Sequence, residues 1–250
     1  MSLVPQLASI DDLLKGRCGE VAAGDVLAFN GVSTVDTFIQ GATKSGISHV
    51  AILMRGQPGG PLLVLEATGL GVTLTPLAES LQKYKDDHTC FYLPLAPRSR
   101  ARVVVDKLAA YYDKNAFDRY NYDGVVEAGI YDLDHPLFKS FLHAFHGRSL
   151  FSRLARWWYR LLGRMSRVWA EVIARHPNTR RLFCSQLVTE VLQTVEVVEV
   201  PPRAHLVVPV EVCWFDIYAG AFQLNGPQLL SDPFRWGDAP AAEADHAPRP

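Results

Sequence analysis

The alternation of apolar and polar residues divides the chain into a strand-rich first part and a more helical second part. Short apolar runs bounded by glycine or proline predict strands, whereas ARVVVDKLAAYYDK at 101–114 carries its apolar residues at helical spacing. A short helix is predicted at 8–15, with Ser9 as its N-cap. The predicted strands are GDVLAFNG, ISHVAILM, LLVLEA, VTLTPL, CFYLPL, VEVVEV and HLVVPVEVCWFDI. This pattern is typical of an α+β fold.

A long helical region is predicted from about 136 to 175, followed by a helix that begins near Cys184 and reads CSQLVTEVLQ. The last residues, GDAPAAEADHAPRP, have no apolar periodicity and predict disorder. We therefore predict a single domain over 1–237, with a helical insertion at about 133–181 and a disordered tail at 238–250.

Two of the predicted strands, at 47–54 and 62–67, are separated by RGQPGGP, which predicts a β-hairpin. A turn centred near Gln57 or Pro58 places His49 directly opposite Glu66, with Cβ atoms roughly 5 Å apart on one face. A slip of one residue would put the two side chains on opposite faces. The hairpin thus predicts an imidazole and a carboxylate as neighbours, provided that the register holds.

Cys184 lies in the first turn of its predicted helix, where unpaired backbone N–H groups and the helix dipole favour a negative charge. A cysteine, a histidine and a carboxylate are what thiol catalysis requires, because the histidine takes the thiol proton and the carboxylate orients the histidine. Backbone N–H groups near Ser185 could form an oxyanion hole. Taken singly, each residue has a structural alternative: a buried thiol, a half-buried histidine, or a glutamate paired with an arginine.

Composition and charge are those of an ordinary globular protein, with 48% apolar residues, 20% charged residues and a formal net charge of −1. The cysteines show neither a CxxC spacing nor a disulfide framework, so we expect reduced thiols and no metal or cofactor. The amino terminus lacks the basic and apolar regions of a signal peptide, and no run reaches the length of a membrane span. These features predict a cytoplasmic protein, with export by a route that needs no cleavable signal left open.

Five segments together resemble the circularly permuted papain-like hydrolases, the permuted branch of the NlpC-type superfamily. The YiiX-like bacterial proteins are the nearest group and lecithin:retinol acyltransferase is more distant. The segments are GDVLAF, SGISHVAILM, LLVLEATGLGV, YNYDG and FCSQLVTEV, in this order over about residues 20–220. In that branch the histidine strand comes first, a Glu-Ala strand second, and the cysteine helix last.

The resemblance implies that Cys184 is the nucleophile, His49 the base and Glu66 the orienting residue, with Ser48, Ser185 and Tyr122 as substrate-binding residues. It also implies an antiparallel sheet or small barrel packed against helices that include the nucleophile helix. Substrates in the superfamily are cell-wall peptides, lipid esters and N-acyl amides. The chain departs from the pattern in the length of the 133–181 stretch and in Gln186, where glutamate is more usual.

The stretch from Gly147 to Arg181 contains nine arginines and a single acid, Glu171. Five of the arginines fall on one helical stripe beside an apolar stripe that includes tryptophans. They are Arg153, Arg156, Arg160, Arg164 and Arg167. A basic amphipathic helix with tryptophans, here within 148–175, is typical of peripheral membrane contact, whereas the alternative is that it covers the catalytic core. Nucleic-acid binding is not indicated, because no binding motif accompanies the charge.

Two functional hypotheses follow. The first is a cysteine-dependent hydrolase or acyltransferase that acts on an amide or ester of a small molecule, lipid or peptide. The second is a non-catalytic binding module that keeps the fold and docks on membrane lipid or a protein partner. The complete set of Cys184, His49 and Glu66 favours the first hypothesis.

Overall fold

The computed structural model describes residues 5–120 apart from positions 33, 44, 69, 70, 87, 117 and 118. It also describes residues 181–199, 204, 207–227, 229 and 233–234. The predicted helical region at 136–175, most of the predicted insertion, the tail at 238–250 and Tyr122 lie outside these residues. No helix in the described part of the chain is both long and apolar enough to cross a membrane.

The described residues form short strands and helices in an α+β arrangement. The strands are β1 (Gln6–Leu7), β2 (Val26–Gly31), β3 (His49–Met54), β4 (Leu63–Thr68), β5 (Gly71–Pro76), β6 (His88–Leu93), β7 (Arg119–Tyr120), β8 (Arg181–Leu182) and β9 (Phe222–Gln223). The helices are α1 (Ile10–Leu14), α2 (Thr34–Thr43), α3 (Leu77–Tyr84), α4 (Pro97–Arg100), α5 (Val105–Asn115), α6 (Cys184–Thr194) and α7 (Pro209–Val212).

Seven strands form one open sheet in the order β1-β9-β6-β2-β3-β4-β5. The pairings are antiparallel except that of β1 with β9, which is parallel and makes the sheet mixed rather than purely antiparallel. A second, two-stranded sheet pairs β7 with β8 in parallel. The expected antiparallel sheet is therefore confirmed for most pairings, whereas the sheet is open rather than a closed barrel.

Both faces of the sheet are buried at β2, which is why this strand reads as a nearly continuous apolar run. One apolar cluster contains Val26 and Ala28 of β2 and packs against α6. The other cluster contains Leu27 and Phe29 of the same strand and packs against α1 and α3. The alternation along β2 thus separates two cores, one on each side of the sheet.

The predicted helix at 8–15 is confirmed as α1, and Ser9 is its N-cap. The Asp12 N–H donates to Ser9 Oγ at 3.0 Å, and the Ser9 N–H donates to Asp12 Oδ2 at 3.0 Å. This reciprocal capping box satisfies two backbone donors at the start of the helix.

The strands predicted at 195–200 and 205–217 are wrong in the described residues. α6 ends at Thr194, and Glu196 then adopts a left-handed conformation with φ 61°, which turns the chain out of the helix. Pro209 occupies the first turn of α7, where a missing N–H costs nothing. The valines on either side, Val208 and Val210, are buried, so the apolar run marks core packing rather than a strand.

Candidate active site

His49 and Glu66 meet on one face of the β3–β4 hairpin, although not in the predicted register. The observed pairs are Ile52 with Leu65, Leu53 with Val64 and Met54 with Leu63, a shift of two residues from direct pairing of His49 with Glu66. The predicted pairing is therefore wrong. A shift of two residues keeps both side chains on the same face and makes them diagonal neighbours. His49 Nε2 lies 3.0 Å from Glu66 Oε2.

The turn of this hairpin accounts for the shift. The Gly60 N–H donates to the Gln57 carbonyl at 3.0 Å, and Gly59 has a positive φ of 75°. The turn is thus centred between Pro58 and Gly59 rather than at Gln57 or Pro58. Glycine supplies the left-handed conformation that this position needs.

Glu66 is a buried carboxylate that is held by donors from two different elements. Its side chain is 1% exposed, and Oε2 accepts hydrogen bonds from His49 and from the Tyr84 hydroxyl at 2.7 Å. Lys83 Nζ lies 3.6 Å from Oε1. Burial alone would raise the pKa of Glu66, but the His49 contact, the Tyr84 hydrogen bond and the Lys83 charge together hold that pKa below its usual value. The carboxylate is therefore ionised beside His49.

His49 bridges Glu66 and Cys184. Because Nε2 contacts the carboxylate, Nδ1 is the ring nitrogen left for the side-chain hydrogen bond between His49 and Cys184. Burial lowers the pKa of His49, but the charge interaction and hydrogen bond with Cys184, followed by those with Glu66, raise it to about 10. These interactions favour the charged imidazolium beside the ionised carboxylate.

Cys184 is the first residue of α6, directly after the extended N-cap Phe183. The Phe183 side chain makes no capping hydrogen bond, so the dipole at the start of the helix acts on the cysteine without a competing side-chain acceptor at that position. Cys184 is 1% exposed, whereas the His49 side chain is 13% exposed, so the imidazole is the more accessible member of the pair.

The contact between His49 and Cys184 lies where the two cores of the sheet meet. Cys184 belongs to the apolar cluster that packs against α6. The His49 ring instead contacts Phe29 and Tyr84 of the other cluster, with ring centroids 5.6 and 6.0 Å apart. The beginning of β3 thus brings residues from both sides of the sheet into one site.

The hydroxyl groups of the two serines that were expected to bind substrate are engaged with the backbone. The Ser185 hydroxyl donates to the Val207 carbonyl at 2.7 Å, and Ser48 Oγ accepts from the Gly31 N–H at 3.1 Å. Both residues are buried. Substrate binding by these side chains remains a prediction. The backbone N–H of Ser185 lies in the first turn of α6, where N–H groups have no intrahelical acceptor.

Tyr84 and Lys83 are site residues that the sequence did not predict. Both lie at the end of α3, a helix that was not predicted because its residues follow directly on the strand VTLTP. A second histidine–carboxylate contact lies nearby, with His88 Nε2 3.6 Å from Asp36 Oδ2 and the His88 ring 4.9 Å from that of Tyr84. The helical spacing of Leu77, Leu81 and Tyr84 is the signal that could have identified α3.

The remaining cysteines, Cys18, Cys90 and Cys213, are buried and form no disulfide. Cys90 and Cys213 have contacts from sulfur to backbone carbonyl oxygens, those of His88 and Pro209. Within the described ranges, no cluster of three or more His, Cys, Asp or Glu side chains could hold a metal ion.

No protein-family model and no curated protein matches this chain. Among solved structures, the chain is similar to a crystal structure described as the metalloprotein yiiX from Escherichia coli O157:H7, DUF1105. The two are 20% identical, the match covers 53% of this chain and 86% of that chain, and the TM-score is 0.33. A likeness of this size does not define a fold family, so the functional assignment has to come from the site.

Proposed function

We propose that the protein is a cysteine-dependent acyl-transfer enzyme, a hydrolase or acyltransferase that acts on an amide or ester. The observation that carries the proposal is that His49 interacts with both Cys184 and Glu66. The Glu66 carboxylate lies against Nε2, so Nδ1 is the ring nitrogen that remains for the thiol. A nucleophile, a base and an orienting carboxylate in series are the arrangement that activates a thiol.

In the first half-reaction the Cys184 thiolate attacks the substrate carbonyl carbon, and the carbonyl electron pair moves to oxygen. The resulting oxyanion would be stabilised by N–H groups in the first turn of α6. When the intermediate collapses, the bond to the amine or alkoxide breaks and the leaving group takes the proton from His49 Nδ1. A thioester on Cys184 remains.

In the second half-reaction His49 Nδ1 removes a proton from water or from an acceptor hydroxyl or amine. The activated oxygen or nitrogen attacks the thioester, the carbon–sulfur bond breaks, and the thiolate is restored. Glu66 accepts the Nε2–H hydrogen bond throughout, which fixes the tautomer and stabilises the imidazolium. The steps use this chain's own side chains as nucleophile, base and orienting group.

The order of these residues along the chain supports a permuted papain-like fold for the proposed enzyme. The histidine and glutamate lie on the adjacent strands β3 and β4, and the cysteine helix α6 follows much later and packs against both strands. This is the order expected from the resemblance to the NlpC-type superfamily. We further infer a lipid, acyl or cell-wall peptide substrate, the classes of that superfamily, with the aromatic and basic stretch at 148–175 favouring a membrane-associated one.

Covalent trapping tests the proposal. The purified protein is incubated with p-nitrophenyl acetate and with p-nitrophenyl decanoate, and the acyl adduct is measured by intact-mass spectrometry before and after neutral hydroxylamine, which cleaves thioesters but not amides. We expect a hydroxylamine-sensitive adduct on the wild-type protein and none on Cys184→Ala.

The matched control is Cys213→Ala, which removes another buried cysteine and should keep the adduct. An adduct that persists in Cys184→Ala would disprove the assignment of the nucleophile. A folded wild-type protein that forms no thioester with either ester would instead favour the binding-module hypothesis.

A further inference from the structure

Tyr84 shares an oxygen atom of Glu66 with His49. The tyrosine hydroxyl donates to Oε2 at 2.7 Å, and the imidazole Nε2 lies 3.0 Å from the same oxygen. A carboxylate oxygen has two lone pairs, so these two contacts can fully engage it. The oxygen that faces the histidine is therefore held on two sides.

The tyrosine ring is itself fixed in place. Tyr84 is 9% exposed, and its ring lies 4.5 Å from that of Phe29 and 4.9 Å from that of His88, centroid to centroid. Lys83 Nζ donates to the Tyr84 hydroxyl at 3.2 Å, so the hydroxyl both accepts from a cation and donates to the carboxylate. Polarisation by the lysine strengthens the bond that the tyrosine donates.

We propose that Tyr84 is a positioning residue of the active site, which fixes the Glu66 carboxylate as the acceptor for His49 and so sets the pH range in which the site is active. This inference rests on the proposed function. Tyr84 does not contact the reacting atoms, and its action passes through Glu66 to His49.

Several titratable groups of α3 and of other elements surround Tyr84 and must be considered together. They are Glu66 of β4, His49 of β3, Lys83 of α3, His88 of β6, Asp36 of α2 and Cys184 of α6. Burial, followed by the negative charges of Glu66, Cys184 and Asp36, raises the pKa of Tyr84 well above its usual value. The Tyr84 hydroxyl therefore still carries its proton, and can donate it in a hydrogen bond, at pH values at which Glu66 becomes ionised.

The test is Tyr84→Phe, which keeps the ring and removes only the hydroxyl. The chain offers a matched control in Tyr92→Phe, since the hydroxyl of Tyr92 also donates to a buried carboxylate, Asp25, at 2.6 Å. We measure the rate of Cys184 acylation by p-nitrophenyl acetate as a function of pH, at a temperature at which circular dichroism shows all variants folded.

We expect Tyr84→Phe to slow acylation by about 10- to 100-fold, the size of one hydrogen bond to a charged group. The acidic limb of the profile should move to higher pH, because Glu66 loses a donor that favours its ionised form. Tyr92→Phe should leave the profile unchanged. Tyr84→Phe combined with Glu66→Gln should be no slower than Glu66→Gln alone, because the tyrosine acts through the carboxylate.

A folded Tyr84→Phe variant whose profile overlays that of the wild type would overturn the proposal, as would additive effects in the double variant. If the wild-type protein forms no acyl adduct, the proposed function fails, and the role of Tyr84 is then decided by NMR. Loss of the hydroxyl should move the titration of the His49 imidazole to lower pH, while Tyr92→Phe should not. An unmoved His49 titration in Tyr84→Phe overturns the role without any reference to activity.

Discussion

Asp25 and Glu66 are two buried carboxylates with similar surroundings and different consequences. Both are almost fully buried, at 0% and 1% exposure, and each accepts a hydrogen bond from a buried tyrosine. Asp25 also accepts from the Ala22 and Leu95 N–H groups and from the Arg100 guanidinium. Glu66 has His49 and Lys83 in their place.

The two carboxylates differ in the kind of partner that carries the positive charge. The partner of Asp25 is an arginine, which does not lose its proton, so the network around Asp25 is fixed. Burial nevertheless dominates there and raises the pKa of Asp25. Glu66 lies beside a histidine that can exchange its proton, and its pKa is lowered. A buried tyrosine–carboxylate pair beside arginine thus has a fixed partner charge, whereas the pair beside histidine could take part in proton transfer, as the proposed function requires.

The largest effect that this comparison predicts is on turnover. Glu66→Gln should leave the fold intact but slow acylation of Cys184 by up to about 10⁴-fold, because an amide orients the imidazole poorly and does not stabilise its charged form. Acylation kinetics with p-nitrophenyl esters provide the measurement. An unchanged rate in a folded variant would assign the orienting role to another group.

The corresponding change at the other carboxylate should act on stability instead. Asp25→Asn leaves the Arg100 charge without its partner and turns an amide N–H₂ toward groups that are themselves donors. We expect the free energy of unfolding to fall by roughly 3–5 kcal/mol. Urea denaturation measures the loss, and the acylation rate per folded molecule should stay at the wild-type level. A large loss of rate without a loss of stability would contradict the structural role of Asp25.

The opposite pKa directions predict opposite dependences of stability on pH. The pKa of Glu66 is lowered from 4.5, so its contribution is present above about pH 4.5 and is lost as the pH falls through the folded-state value. The difference in unfolding free energy between the wild type and Glu66→Gln should therefore shrink as the pH falls below about 4.5.

The pKa of Asp25 is raised from 3.8, so its pH-dependent contribution is present below that value and is lost as the pH rises through the folded-state value. The difference in unfolding free energy between the wild type and Asp25→Asn should accordingly change with pH in the direction opposite to that for Glu66→Gln. Urea denaturation of the three proteins at a series of pH values measures the sign of each pH dependence directly. Parallel curves would mean that the two carboxylates are not distinguished by their partners.

The smallest effect is expected at Lys83. Its side chain is 57% exposed and Nζ lies 3.6 Å from Glu66 Oε1, so the ion pair is weak and screened. Lys83→Met should slow acylation by less than about 5-fold, within the range of exposed ion pairs, and the difference should vanish in concentrated salt. A loss as large as that expected for Tyr84→Phe would show that the lysine, rather than the tyrosine, holds the carboxylate.

The parts of the fold that the sequence predicted correctly are those with a local physical signal. Ser9 caps α1, the glycine- and proline-rich turn forms the β3–β4 hairpin, and α6 begins at Cys184. In each case the residues that determine the structure are adjacent in sequence. The proximity of His49 and Glu66 also followed from the hairpin, since the error of two residues in register preserved the face.

The parts that were missed depend on contacts between distant segments. Tyr84 reaches Glu66 from α3 across 18 positions, and no local pattern links the two residues. The valine-rich stretch after α6 has strand-like composition, yet the buried environment around Val208 and Val210 allows a turn of helix that begins with Pro209. Tertiary packing outweighs intrinsic strand preference there.

The hairpin also affects the order in which the residues of the site come together during folding. The short turn between β3 and β4 lets His49 and Glu66 meet after closure of a small loop, whereas Cys184 reaches His49 only when more than a hundred further residues have been brought together. In a nascent or partly folded chain the thiol therefore lacks the base that we propose for it. We expect such a chain to carry an ordinary cysteine, whose reactivity develops only as α6 docks on the sheet.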